Sequence, residues 1–147
     1  MDRPGTVAAV NPQVAHASIV YWRRSLWNGM RCVPVLMTLD QGWLRARDRH
    51  GVEVFAVPAG QVGGRLTRLG TLLLDVGGRR YALVGRGSDA SPRPSTDQER
   101  GCADFWSRHT PPTGDGPGVL DQVLNGAAAF RTRSWRDALA RAGAPLR

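Results

Sequence analysis

The sequence predicts a mainly β domain of about seven strands followed by a C-terminal amphipathic helix. Three observations lead there. Short apolar segments recur between His16 and Gly87 with turn residues between them, one of those turns is a Gly-Gly pair between two strand-like runs, and the period changes from two to helical after Gly118. At 147 residues, with 41% hydrophobic and 22% charged residues, the chain has the size of one domain built around a single core. Residues 1–15 contain Pro4, Gly5, Asn11 and Pro12 and no sustained period, which reads as a loose N-terminal arm ahead of a single domain over 16–147.

The strands are expected near 17–24, 31–39, 43–48, 52–57, 62–68, 71–76 and 79–85. In the second, Val33, Val35, Met37 and Leu39 fall on one face at period two, so that face belongs to the core. Asp40-Gln41-Gly42 then turns the chain. Leu44 and Ala46 point inward in the next strand, and Trp43, Arg45 and Arg47 point the other way. His50-Gly51 marks the following turn, where Asp48 serves the backbone as Asp ordinarily does. The run Leu72 to Val76, then Gly77-Gly78, then Arg79 to Val84, reads as a two-residue hairpin whose glycines supply the positive φ of a primed turn. Val62-Gly63-Gly64-Arg65 echoes Val76-Gly77-Gly78-Arg79, and repeated turn chemistry is the simplest account of the echo.

From Gly87 to Gly118 the composition shifts to Ser, Pro, Asp, Arg and Gly. Only Asp97 to Trp106 reads as a short helix there, and the segment is expected to be an excursion anchored solely by Phe105 and Trp106. On that reading, a Gly-Ser linker in place of 88–100 leaves the thermal midpoint nearly unchanged. Beyond it, Val119, Leu120, Val123, Leu124, Ala127 and Ala128 form one helical stripe, and Trp135, Ala138, Leu139 and Ala142 form a second. Thr132 or Ser134 is the expected cap of the second piece, with Gly143 and Pro145 ending it.

Taken together, Leu36 to Leu44, Val54-Phe55-Ala56-Val57-Pro58 and Gly70 to Tyr81 resemble the bacterial pleckstrin-homology-like or GRAM-like domains of actinobacteria, and Ser134 to Leu139 looks like the start of their C-terminal helix. The resemblance covers residues 17–87 and 132–143, with the intervening segment as a departure. It implies a bent antiparallel sheet or barrel of about seven strands capped by a helix, in a class of domains that serve mainly as docking modules. A fold of this kind does not choose the ligand.

Every one of the 20 basic residues is arginine, against 12 acidic residues, for a net charge of +8. Such a surplus attracts polyanions. The total absence of lysine equally suits a GC-rich genome that inflates arginine without any polyanion to bind. The longest nearly apolar run, Val33 to Leu39, is too short to span a membrane, and no continuous apolar stretch precedes Tyr21 as in a secretory signal. Cys32 and Cys102 alone make no disulfide framework, so a cytoplasmic location is expected, with the inner membrane face as an extension of it.

No catalytic constellation stands out, and neither an enzyme nor a cofactor is expected. Cys102, Asp104 and His109 lie close in sequence but lack the paired spacing of a zinc site. Gly85-Arg86-Gly87-Ser88-Asp89 lacks the lysine of a phosphate loop. The candidate binding surface is instead Trp22, Arg23, Arg24, Trp27 and Arg31 near the first turn, with Trp43, Arg45 and Arg47 in the third strand. Arginine beside an exposed ring can stack on bases, grip phosphates or sit at a lipid interface, whereas buried rings with solvated arginines do none of these. The leading expectation is a non-catalytic module that binds another protein. Peripheral attachment to anionic lipid and nonspecific binding of single-stranded nucleic acid are the alternatives.

Overall fold

The computed structural model describes residues 13–24, 32–85, 91–109 and 128–147. Seven strands and two helices follow in order: β1 (His16–Arg23), β2 (Cys32–Asp40), β3 (Trp43–Arg47), β4 (Glu53–Pro58), β5 (Gly63–Leu66), β6 (Leu72–Val76), β7 (Arg79–Val84), α1 (Thr96–Arg108) and α2 (Ala128–Arg141). The strands form one antiparallel sheet in the order β4-β3-β2-β1-β7-β6-β5. The mainly β architecture with a helix after the sheet is thus the one the sequence predicts.

The sheet is bent but does not close as a barrel, since β4 and β5 remain its two edges. Four inter-strand steps separate β4 from β7, which in a flat sheet is roughly 19 Å at the usual strand spacing. Yet the rings of Phe55 in β4 and Tyr81 in β7 lie 5.0 Å apart. The sheet therefore curls until the inner faces of its two halves share one core, in which Val35, Met37, Leu39 and Leu44 join Leu72, Leu74 and Leu83. Into that core α2 inserts Trp135, Ala138 and Leu139, followed by Ala142 just past its end, the stripe expected of it.

Turn chemistry follows the sequence with one exception. Gly77 and Gly78 have φ of 58° and 80°, as a primed two-residue hairpin needs. At the β3–β4 turn the Asp48 carboxylate accepts from the backbone N–H of His50 at 2.8 Å and of Val52 at 3.0 Å. Gly63-Gly64 is not a turn at all: it opens β5, and a Cβ on Gly64 would lie 2.0 Å from the Leu73 carbonyl oxygen. The glycine there permits close approach to β6 rather than repeating the hairpin. Beside it the C-terminal tail runs along the free side of β5, with Leu146 bridged to Gly64 and the Arg147 N–H donating to the Gly64 carbonyl at 2.8 Å.

The expected excursion over 87–118 is corrected where the structure describes it, at 91–109. Ser95 and Gln98 form a reciprocal capping box, and α1 then runs for 13 residues. Its Cys102, Phe105 and Trp106 form a second cluster with Ala17 on the outer face of the sheet, so Phe105 and Trp106 do anchor it. They are not alone. The Gln98 amide is buried and donates to the carbonyls of Pro34 at 2.9 Å and Arg47 at 3.3 Å. Exchanging 88–100 for a Gly-Ser linker removes the cap, that amide and the first turn of α1, so the thermal midpoint is expected to fall rather than stay constant, as a melting curve would show. A second correction concerns α2, which is already helical at Ala128; Thr132 and Ser134 lie inside it and do not cap it. Its end is as expected, with Gly143 donating to Ala140 and Ala144 to Leu139 in a Schellman arrangement. The stripe from Val119 to Ala127 and residues 1–12 of the expected arm lie outside the described residues, while Val14 and Ala15 at the arm's end pack against the two apolar clusters.

Strand β1 pairs with β2 along its whole length but with β7 only at Tyr21 and Trp22. The backbone of its first half is therefore open on the β7 side, and helix side chains fill the gap. The Trp106 indole N–H donates to the Ala17 carbonyl at 3.0 Å, and Arg131 Nη1 donates to the carbonyls of Ile19 at 3.2 Å and Gly85 at 3.3 Å. The Trp135 indole N–H donates to Ser18 Oγ at 2.7 Å. His16 sits edge-on to both tryptophan rings, 5.8 Å from Trp106 and 4.6 Å from Trp135. Burial, reinforced by the positive charge of Arg141, lowers its pKa to about 4. The folded protein thus refuses a proton that the unfolded chain accepts below pH 6.5. Stability from this residue is intact above that value, falls by up to roughly 3 kcal/mol as pH drops toward 4, and changes no further below it. Urea titrations of the wild type and His16→Phe at pH 7 and pH 4.5 should show a markedly smaller acid loss in the variant.

Candidate functional site

Alternation along β3 places Leu44 and Ala46 in the core and Trp43, Arg45 and Arg47 on the outer face, as expected. Because α1 covers the outer face of β1 and β2 but stops short of β3, a groove of about 420 Å³ runs between them. Trp43, Arg45 and Arg47 form one side, Asp104 and Arg108 of α1 the other, and Leu36 lies on the floor. Trp43 is 41% exposed, and the Arg45 guanidinium lies 5.5 Å from its ring centre. Arg45 also reaches Glu53 at 3.4 Å. Among the described residues neither Arg47 nor Arg108 has a carboxylate partner; Arg108 donates through Nε to the Asp104 carbonyl at 3.2 Å.

One end of the groove is fastened by a residue the sequence reading weighed only as a metal ligand. His109, just past α1, stacks on Phe105 at 3.9 Å. Its Nδ1 meets the Phe105 carbonyl at 2.7 Å and its Nε2 lies 3.2 Å from Asp40 Oδ1. Each ring nitrogen faces an oxygen acceptor, so whichever carries the hydrogen has a partner. Asp40 and Asp104 are the carboxylates that line the groove with its three arginines, and Arg45 is the one of the three already paired, with Glu53.

The other half of the candidate surface lies elsewhere. Trp22 shares the inward face of β1 with Val20 and packs half-buried against the core, 5.2 Å from the Tyr81 ring. The guanidiniums of Arg24 and Arg79 approach it at 5.0 and 5.4 Å. Arg23 points outward, half-buried, opposite Cys32. Trp27 and Arg31 lie outside the described residues. Trp22 thus lies on the face of the sheet opposite to that of Trp43, Arg45 and Arg47.

Cys102, Asp104 and His109 do not converge. Cys102 is buried under α1, where desolvation pushes its thiol up to about 11, so it is protonated at neutral pH and no nucleophile. Asp104 is exposed and His109 is already engaged. No group of three potential metal ligands meets among the described residues, and none of the described helices is long and apolar enough to cross a membrane.

No protein-family model, curated protein or solved structure matches this chain. The geometry of the groove accordingly carries the functional argument by itself.

The exposed and anchoring tryptophans should part company on mutation. Trp106→Ala empties a buried site and strands the Ala17 carbonyl, for a loss of roughly 3–5 kcal/mol. Trp43→Ala should change stability by less than about 1 kcal/mol. Denaturant midpoints followed by circular dichroism distinguish the two.

Proposed function

We propose that this chain is a non-catalytic docking module that receives a protein partner in the groove between α1 and the outer face of β3. The observation that carries the reading is a concave surface with an exposed tryptophan at one side and guanidiniums lacking carboxylate partners at both. Tryptophan and arginine are the side chains from which interface hot spots are most often built. The seven-strand order, with α2 filling the inside of the curled sheet, supports the pleckstrin-homology-like reading of the sequence, in which docking is the usual role.

A second reading, single-stranded nucleic acid, is favoured by one specific feature: Trp43, Arg45 and Arg47 alternate on a single exposed strand face, as a stacking platform interleaved with cations requires. It is the weaker of the two, because Trp43 is the sole large aromatic exposed there among the described residues.

Both readings are tested by one comparison. Proteins retained from the native host by the wild type are matched against those retained by Trp43→Ala/Arg47→Glu and by a control, Arg65→Glu, on the distant strand β5. A defined set of proteins lost with the groove variant and kept by the control is expected, and nuclease treatment should not alter it. A retained set indifferent to the groove variant overturns the protein reading. Loss of the set on nuclease treatment, with quenching of tryptophan fluorescence by an oligonucleotide at low salt, favours the nucleic-acid reading instead.

A further inference from the structure

The groove is built from surfaces whose backbone is already satisfied. Strand β3 lies inside the sheet and pairs with β2 on one side and β4 on the other, so it offers a guest side chains and no free ladder. At the one irregularity, between Ala46 and Arg47, the Arg47 carbonyl is taken by the Gln98 amide at 3.3 Å. The opposite wall is a helix, which bonds its own backbone. An extended peptide lying in this groove would leave its N–H and C=O groups without partners wherever water is displaced, a cost of about 1–3 kcal/mol for each. A helix brings its backbone hydrogen bonds with it.

The dimensions agree. Two adjacent strands present a face roughly 10 Å wide including side chains, and five residues of β3 extend about 17 Å, which matches the diameter and three turns of an α-helix. The residues of β4 opposite Trp43 and Arg45 are Pro58 and Ala56, small enough to leave the face open. On the neighbouring strands, β1 and β2, this same sheet face already carries a helix, α1. At the rim stand Arg45, which Glu53 already pairs, and Arg47 and Arg108, which have no carboxylate partner among the described residues, with Asp40 and Asp104 as the groove's own carboxylates.

We infer that the groove takes an amphipathic helix of a partner protein, with an apolar stripe against Trp43 and Leu36 and acidic residues on the flanks, lying on β3 and β4 beside α1. This deepens the docking proposal above and rests on it. Charge complementarity selects the acidic guest, and the occupied ladder of β3 selects a helix over a strand.

The test uses the full chain, labelled with ¹⁵N, and three synthetic peptides of about 16 residues, roughly four turns. The first has a leucine stripe at i, i+4, i+7 with glutamate flanks. The second has the same composition with two central residues changed to proline, and the third has lysine in place of glutamate. The first peptide should shift the Trp43 indole resonance and the amides of β3, and the proline peptide should bind at least tenfold more weakly. Arg47→Glu/Arg108→Glu should weaken the glutamate peptide at least tenfold and strengthen the lysine peptide.

Equal binding by the first two peptides overturns the helical guest while leaving an acidic protein partner in place. Binding by neither up to millimolar concentration, or a single-stranded oligonucleotide that shifts the same resonances at lower concentration than the peptide, also overturns it. The docking reading itself stands or falls separately, on whether the retained host proteins depend on Trp43 and Arg47.

Discussion

The arrangement of this protein depends on the partial separation of β1 from β7. A sheet that paired these strands along their full length would leave no unsatisfied backbone between them and no reason for a helix to settle there. Because the ladder between them spans only Tyr21 and Trp22, the carbonyls of Ala17 and Ile19 need other donors. They receive them from Trp106 of α1 and Arg131 of α2, one from each helix. The sheet's defect thus becomes the seat of both helices, and it lets the two halves curl over a common core.

That seat also sets where the groove lies. With Trp106 fixed to β1, α1 covers β1 and β2, and its remaining width does not reach β3. Gln98 holds the first turn of α1 to Pro34 and Arg47, and His109 holds the far end to Asp40. The wall of the groove is therefore fastened at both ends by polar contacts to β2 and its neighbouring strand. Its Trp43 side is held by the core packing of Leu44 and Ala46 on the reverse of the same strand. A surface supported in this way would meet any partner with little ordering left to do.

Much of this was legible from residue order. Strand positions followed from period-two alternation, the Gly77-Gly78 hairpin from turn chemistry, and the buried stripe of α2 from its helical spacing. The outward orientation of Trp43, Arg45 and Arg47 followed from the same alternation, whereas Trp22, offered as part of the binding surface, shares the core face with Val20. The seat of α1 was not legible. Ser95-Thr96-Asp97-Gln98 has the pattern of a capping box, but the prolines around it suggested a loop. That Gln98 and Trp106 would find their partners in strands far away in sequence is a matter of register and curvature, which local pattern does not encode. The echo between Gly63-Gly64 and Gly77-Gly78 misled for a related reason, since glycine serves a turn in one place and a close backbone approach in the other.

The tail that lies along β5 bears on how copies of this protein can meet. An open sheet grows into a filament only if both of its borders can accept a new strand. Here the border at β5 is occupied by Leu146 and Arg147, while the border at β4 carries no further strand among the described residues. With one border closed, strand-on-strand association can join two molecules back to back through β4 and then has nowhere to continue. Two residues of tail convert a potential polymerisation surface into, at most, the interface of a pair.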